Sequence, residues 1–350
     1  MPDFEAFPFW LNGLAFAAGA AVIWIAGTRL SRYAAAIADR TGVGKAFIGA
    51  LLLGGITSLP EVATTVTASA IGSAPLAVNN IFGGVAMQVV VLAVADAIVP
   101  GRSLSVRIRS PVVLLQAALL VLILSLAIAG MVVGDVPIFG VGAWTLAILG
   151  ASLLAFYLIR QDGSHATWEP EAPPSPEAES EAARAREAEG ARGYSTGRLV
   201  LFTSLAALAI LVAGFAVAKT GDVLAVQTGL GASFVGVLFV AVATSLPEAS
   251  TTISAVRLGQ NEMAFSNIFG ANILDLSVLF LADLVFRGGP VLNEVGRFSQ
   301  IGALLGVLVT GVYMVGLLER RKRVVMGVGW DSLLVLLLYA GGMFLLYTLR

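Results

Sequence analysis

The five residues TSLPE stand at positions 57–61 of this 350-residue chain and stand again at positions 244–248. The offset of 187 residues between the two copies holds far beyond the motif. Identical residues recur at this offset elsewhere as well, among them Thr41-Gly42 with Thr228-Gly229, residues 80–83 (NIFG) with 267–270, and Asp96 with Asp283. The match runs without a gap from residues 26–96 to residues 213–283, so it is an internal repeat that predicts two halves of similar structure.

The composition predicts a chain that lies within a membrane. Hydrophobic residues make up 58% and charged residues 12%, with a mean hydropathy of +0.91, whereas soluble chains carry about 25% charge. Long apolar runs must satisfy their backbone groups internally, which favours helices. The lipid bilayer is therefore an expected partner, and the net charge of −1 gives no reason to expect nucleic acid. The absence of cysteine excludes disulfides and thiolate metal sites.

Apolar runs long enough to cross a bilayer number ten, at about 20 residues each. They lie near residues 8–28, 45–71, 75–99, 110–132, 136–159, 198–218, 231–256, 262–286, 296–318 and 328–349. Asp3 and Glu5, without a basic residue beside them, favour a retained first helix over a cleaved signal peptide. Because each half holds five spans, the halves must face in opposite directions. The predicted fold is all-α integral membrane, with ten transmembrane helices as two inverted five-helix repeats.

The predicted organisation is a first repeat at residues 1–160, a linker at 161–197 and a second repeat at 198–350. The linker is rich in Pro, Ala, Glu and Arg and has few large apolar residues, so we expect it to be disordered apart from a short helix near 177–189. The only histidine, His165, lies here and is interpreted as a solvated residue.

The basic residues predict the orientation. With the N-terminus outside, 17 of the 21 Lys and Arg residues fall in cytoplasmic segments, and only Lys219, Arg287, Arg297 and Arg350 stay outside. This bias predicts that both termini lie outside and that the linker is cytoplasmic.

Each TSLPE motif predicts one half of a cation site. Pro60 and Pro247 lack an N–H and should break their helices, which frees backbone carbonyl oxygens. A buried carboxylate within a membrane usually has a function, and hard cations prefer carboxylate, carbonyl and hydroxyl oxygens. Two inverted copies that meet near the bilayer centre would bring Glu61 and Glu248 together.

A further polar side chain follows each glutamate by 27 residues: Gln88 in the first half and Asp275 in the second. The predicted metal site comprises these residues and the motif hydroxyls: Glu61, Glu248, Asp275, Gln88, Thr57, Ser58, Thr244 and Ser245. Three carboxylates suit a divalent ion or several monovalent ions, and when empty they would repel one another, so at least one should hold a proton. Asp96 and Asp283 lie at span ends, where a capping or ion-pair role is expected instead.

The chain resembles the calcium/cation antiporter superfamily, which includes the sodium/calcium exchangers. The resemblance rests on both TSLPE copies and on residues 270–275 (GANILD), which are similar to the Gly-Ser-Asn-Ile-Phe-Asp/Asn stretch of that superfamily. It implies that Glu61 and Glu248 are the central calcium ligands, with Asp275 and Gln88 beside them. It also implies that the four motif hydroxyl residues contribute oxygens to calcium and sodium. The expected location of the protein is the plasma membrane of a bacterium or archaeon.

Three departures from the superfamily pattern bear on the counter-ion. Gly84 and Ala271 stand where relatives usually have serine, and Gln88 replaces the usual asparagine. The run Met263-Ala264-Phe265-Ser266 is closer to the mitochondrial-type branch. The counter-ion is therefore left open between sodium and protons.

The function predicted is secondary antiport of calcium against sodium or protons by alternating access. It involves no resident cofactor and no enzymatic reaction, because no nucleophile–base pair is evident. The first alternative is a divalent cation/proton exchanger that also carries manganese or magnesium. A cation channel is a further alternative, which a calcium flux that needs no counter-ion gradient would favour. A membrane sensor is another, which a large folded soluble domain would favour. The sequence does not indicate the oligomeric state.

Overall fold

The computed structural model describes residues 4–41, 57–98, 103–108, 110–162, 193–257, 261–319, 324–325 and 328–350. The described chain is helical apart from two short hairpins and two 3-10 turns. The helices are α1 Phe9–Thr41, α2 Leu59–Ala70, α3 Ala74–Ile98, α4 Leu104–Arg107, α5 Pro111–Val133, α6 Ala143–Asp162, α7 Thr196–Thr228, α8 Ala232–Thr244, α9 Leu246–Arg257, α10 Asn261–Val285, α11 Arg297–Glu319 and α12 Trp330–Thr348. The strands are β1 Pro137–Ile138, β2 Val141–Gly142, β3 Val324–Val325 and β4 Val328–Gly329. The 3-10 turns are Phe4–Ala6 and Val291–Glu294.

The membrane-spanning character of the chain is confirmed. Eight described helices are long and apolar enough to cross a bilayer, and the number is nine if the bent pair α8 and α9 forms a single span. Much of the predicted span at 45–71 lies outside the described residues, and only α2 is seen there. The predicted count of ten is therefore not tested.

The sequence placed several helix ends wrongly. Helices α1 and α7 contain 33 residues each and continue past the predicted ends at residues 28 and 218. Hydropathy marks where apolar residues stop, but alanine-rich turns and long basic side chains can carry a helix on to the membrane surface. The predicted span at 136–159 begins instead with the hairpin β1–β2, and its helix starts at Ala143.

The ends of the predicted linker are ordered. Helix α6 continues to Asp162 and α7 begins at Thr196, capped by Ser195. Tyr194 packs edge-on against Phe202 with ring centroids 5.2 Å apart. His165 and the predicted helix at 177–189 lie outside the described residues.

Helices α3 and α10 form the centre of the protein. In the most apolar stretch of α3, 78% of the residues are buried, whereas the corresponding figure for α1 is 17%. Apolar residues lie on all sides of α3, as expected for a helix with protein all round it. Helices α5, α6, α11 and α12 pack around α3 and α10, while α1 and α7 pair with each other at the periphery.

Helix α8 approaches α3 so closely that glycine is required on both surfaces. A side chain at Gly83 would overlap the carbonyl oxygen of Val237, and a Cβ at Gly236 would lie 2.7 Å from the carbonyl oxygen of Leu76. The contact falls in the π-helical segment Val235–Val240 of α8. Backbone here packs directly on backbone, which fixes α8 against the central helix.

The 187-residue offset reappears in the tertiary structure. The hairpin β1–β2 pairs Pro137 with Gly142, and the hairpin β3–β4 pairs Val324 with Gly329. Every strand residue of the first hairpin thus has its counterpart 187 positions later in the second. Each hairpin leads directly into a helix, α6 or α12.

Asp96 and Asp283 each connect a central helix to the hairpin of the opposite half. Asp96 accepts hydrogen bonds from the backbone N–H of Leu104 in its own half and of Gly329 in the other half, both at 2.8 Å. Asp283 accepts from Val291 of its own half at 2.6 Å and from Gly142 of the other half. The expected capping role is confirmed, and it extends between the halves.

Candidate cation-binding site

The second TSLPE motif interrupts its helix as predicted. Helix α8 ends at Thr244, α9 begins at Leu246, and the two are bent by 47°. Pro247 follows in the first turn of α9, where the missing N–H costs nothing. In the first motif α2 begins at Leu59 with Pro60 in its first turn and Ser58 at the N-cap. Residues 42–56, which precede this motif, lie outside the described residues.

The predicted acidic residues come together in the interior of the protein. Glu61 and Glu248 are 0% exposed and Asp275 is 1% exposed. Ser245 of the second motif donates a hydrogen bond of 3.4 Å to Glu61 Oε1 of the first. Thr57 of the first motif lies beside Glu248 of the second. The two motifs therefore face each other across the halves.

Gln88 and Asp275 meet where the central helices cross. Gln88 Nε2 on α3 donates to Asp275 Oδ2 on α10 at 2.9 Å. One turn earlier, Asn272 Nδ2 lies 3.4 Å from the carbonyl oxygen of Val85. Both contacts join residues separated by 187 positions. Ser58 lies beside Asp275, which links this pair to the first motif.

Many oxygens of this site accept no hydrogen bond from the part of the chain that the structure describes. They are Glu61 Oε2, both carboxyl oxygens of Glu248, Asp275 Oδ1, Gln88 Oε1 and Ser58 Oγ. A buried polar atom without a partner is costly, and a buried carboxylate more so. The free oxygens are of the kinds that hard cations bind.

The three carboxyl groups lie close enough to repel one another when they are charged. Glu61 interacts with Asp275, and Glu248 interacts with both of them. Among the described residues no three acidic side chains are drawn tightly enough together to hold a metal by themselves. A cation bound here would need the carboxyl groups to move inward or would need neutral oxygens such as those of Ser58 and Gln88.

Two asparagines support the site and were not assigned a role from the sequence. Asn80 Nδ2 donates to the hydroxyls of Thr64 at 3.0 Å and Thr65 at 2.9 Å, and its Oδ1 lies 3.4 Å from the Thr244 hydroxyl. Asn267, at the equivalent position, lies 3.4 Å from both Thr251 and Thr252. Asn80 and its two α2 threonines correspond one by one to Asn267 and its two threonines at the 187-residue offset, so the repeat itself carried the signal. Asn80 ties α2 and α3 to the opposite motif.

The two repeats of the chain each match the family model described as sodium/calcium exchanger protein, at residues 11–161 and 198–348. The chain belongs to the sodium/calcium exchanger family. Among curated proteins, this family member is 28% identical to the inner membrane protein YrbG of Escherichia coli over 312 residues, which cover 81% of this chain and 89% of YrbG. It is 26% identical to the putative antiporter CaxA of Alkalimonas amylolytica over 332 residues, which cover 93% of this chain and 95% of CaxA.

Several solved structures share the fold of this sodium/calcium exchanger family member. The structure of YfkE has a TM-score of 0.66 at 13% identity and covers 98% of this chain and 93% of its own. The H⁺/Ca²⁺ exchanger CAX has a TM-score of 0.65 at 14% identity, covering 97% and 85%. The sodium-calcium exchanger NCX_Mj has a TM-score of 0.57 at 18% identity, covering 96% and 99%. The family is one of exchangers, and the predicted superfamily is confirmed.

Proposed function

We propose that this protein is a secondary antiporter that exchanges calcium for protons or sodium across a bacterial or archaeal plasma membrane. The observation that carries the proposal is the convergence of three buried carboxyl groups from both halves, with oxygens that no described group satisfies. Cations are the substrates, and no resident cofactor is proposed. Two loads that need the same oxygens exclude each other, which is the basis of coupled exchange.

The proposed architecture is ten transmembrane helices as two inverted repeats, with both termini outside and the linker cytoplasmic. The equivalent hairpins and the equivalent roles of Asp96 and Asp283 support this. The contacts of Gln88 with Asp275 and of Val85 with Asn272 join equivalent positions. Residues related by a twofold axis touch only near that axis, so the crossing of α3 and α10 is consistent with a pseudo-twofold axis at the site.

The proposed ligands are the eight residues named from the sequence. Glu61 and Glu248 supply the central charges and Asp275 the third. Gln88 holds Asp275 through its amide N–H and leaves its carbonyl oxygen for the ion. Thr57, Ser58, Thr244 and Ser245 supply hydroxyl or backbone oxygens around the breaks in the helices.

Protons are the counter-ion that the local structure favours. Gly84 and Ala271 provide no hydroxyl to the site, although a Cβ at Gly84 would have room, at 3.8 Å from Ser245 Oγ. Fewer neutral oxygens weaken a sodium site, whereas a proton needs only a carboxylate. The structural neighbours include both an H⁺/Ca²⁺ exchanger and a sodium-calcium exchanger, so the choice rests on the missing hydroxyls. A proton-driven exchanger that also carries manganese or magnesium is the second candidate.

The deciding experiment is calcium uptake into proteoliposomes of the purified full chain. Uptake is measured under an imposed pH gradient, under an imposed sodium gradient and without either, and then with manganese or magnesium replacing calcium. We expect uptake to follow the pH gradient. Uptake driven by sodium alone would reverse the choice of counter-ion, and uptake with neither gradient would indicate a channel.

The site itself is tested by Glu61→Gln and Glu248→Gln in the same vesicles. Each removes one carboxylate without changing side-chain size, so we expect exchange to be lost while the thermal unfolding temperature in detergent is kept. Glu294→Gln, at an exposed glutamate outside the site, is the matched control. Full exchange in either site variant would refute the proposed ligands.

A further inference from the structure

A groove of about 340 Å³ runs between the two peripheral helices α1 and α7 and is open on one side. One wall is formed by α1 at helical spacing and the other by α7 at helical spacing. The lining residues are Val22, Ile25, Ala26, Arg29, Tyr33, Phe202, Leu205, Ala206 and Ala209. Its size is at the lower end of the range for small-ligand sites in proteins. In a membrane-spanning pair of helices such a groove faces lipid.

The groove is apolar along its length and cationic at one end. Val22, Ile25 and Leu205 are 41%, 51% and 53% exposed. Arg29 is the single charged residue of the lining, it is exposed, and it makes no ion pair with any described residue. An arginine at the edge of the hydrocarbon favours an anionic phosphate group, which it can bind through two N–H groups.

An aromatic cluster marks this end of the groove as the membrane surface. Tyr33 packs on Phe202 with ring centroids 5.7 Å apart, and Tyr194 packs on the same ring at 5.2 Å. Tyrosine is enriched where the hydrocarbon meets the headgroups. The apolar part of the groove therefore extends toward the bilayer centre, and Arg29 stands at headgroup depth.

We propose that the groove between α1 and α7 binds one anionic glycerophospholipid, with an acyl chain against Ala26, Ala206 and Ala209 and its phosphate on Arg29. A zwitterionic lipid can place the same chain in the groove, but its own ammonium group competes for the phosphate. The site is thus selective by charge, and the apolar walls serve any acyl chain.

The groove lies between two helices that contact the transport site, so a bound lipid can act on the site through them. Gly27, next to the groove residue Ala26, lies directly against Pro247 at the break in the second motif. Gly214 on α7 packs in the same way on Ala63 in α2. A lipid wedged between α1 and α7 therefore holds the two helices that cover the helix breaks. Occupancy of the groove should change the rate of any movement of α1 and α7 over the site.

Lipid binding is tested on the full chain, purified in detergent and stripped of lipid, by native mass spectrometry. The probes are phosphatidylglycerol and phosphatidylcholine with identical acyl chains. We expect phosphatidylglycerol to be retained in preference, and Arg29→Ala to lower its affinity about fivefold, which is the weight of one basic residue near an anionic surface. Arg257→Ala, at an exposed arginine on the last turn of α9, is the matched control and should keep the preference.

A second variant tests the apolar part. Ala206→Phe fills the groove and should reduce retention of both lipids, with thermal unfolding as the check on folding. Equal retention of phosphatidylglycerol by the wild type and Arg29→Ala, or an equal loss in Arg257→Ala, would overturn the proposal. Displacement of the lipid by inorganic phosphate would reduce the site to a phosphate site. Because binding is read without transport, a failure here is distinct from a failure of the proposed exchange activity.

Discussion

The carboxyl group of Asp283 holds together two segments that are distant in sequence, and its removal should loosen both. Its Oδ1 accepts from the N–H of Val291, and its Oδ2 accepts from the N–H of Gly142 and from the Thr145 hydroxyl at 2.7 Å. Asp283→Ala leaves the two N–H groups without their acceptor, whereas the Thr145 hydroxyl keeps the carbonyl oxygen of Gly142 at 2.9 Å. The donor residues Gly142, Thr145 and Val291 are all buried.

The expected effect follows from the strength of a hydrogen bond to a charged group, about 1.5–3 kcal/mol each. A difference of 1.4 kcal/mol is tenfold in an equilibrium constant. The amide protons of Gly142 and Val291 should therefore exchange with solvent about ten- to a hundredfold faster in the variant. The effect should be local, because the central helices α3 and α10 keep their apolar packing.

Hydrogen–deuterium exchange read by mass spectrometry can measure this, and the internal repeat supplies the control. In Asp283→Ala, peptides that cover residues 137–145 and 288–295 should lose protection, while peptides around residue 104 and residues 328–332 should not. In Asp96→Ala the pattern should be reversed, because Asp96 accepts from Leu104 and Gly329. Loss of protection confined to the half that carries the substitution would refute the idea that each carboxyl group links the two halves.

Three further predictions concern packing, pH and the support of the site. Gly83→Ala forces a Cβ onto the backbone of α8 and should lower the stability by about 1–3 kcal/mol, measured by thermal unfolding in detergent, whereas Gly13→Ala, with nothing within 4 Å, should not destabilise. Burial and the nearby carboxyl group of Asp283 raise the pKa of Asp135 above its usual value of 3.8. The folded state therefore holds this proton more tightly than the unfolded state, and stability should fall as pH rises from 3.8 through the raised pKa. Unfolding midpoints measured over a pH series should lose this slope in Asp135→Asn, and an unchanged slope would contradict the assignment. Asn80→Ala removes two hydrogen bonds to threonine hydroxyls of α2 and should lower the stability by about 1–3 kcal/mol. Exchange in vesicles should fall by more than the amount of folded protein does. A loss of stability with full exchange in the folded fraction would contradict the supporting role of Asn80.

The membrane class, the repeat and the meeting of the two motifs could be predicted because they depend on features that a single sequence displays. The composition indicated that the chain lies in a bilayer. A proline followed by a glutamate within an apolar stretch, present once in each half, indicated two facing helix breaks. Glu61 and Ser245, from opposite halves, are in hydrogen-bond contact as this reasoning expects. Whether the eight polar residues bind a cation stays a prediction.

The remaining features depend on contacts that no local pattern encodes. Asp96 was expected to cap a helix, but nothing in its neighbourhood shows that Gly329 is a partner. The lengths of α1 and α7 were missed because hydropathy measures the apolar core of a span and not the helical turns at the membrane surface. The hairpin β1–β2 has strands of two residues each, which is too short for an alternating pattern to appear.

The reciprocal hydrogen bonds of Asp96 and Asp283 imply how such a chain could have arisen. A single half, made alone, would expose one acceptor at the end of its central helix and one hairpin amide that needs an acceptor. Two identical copies inserted in opposite orientations would satisfy both needs at once, so the half-length protein would act as a homodimer. Duplication and fusion of its gene would then convert an assembly that depends on concentration into one that is independent of it, and would free each half to acquire its own residue at positions such as Gln88 and Asp275.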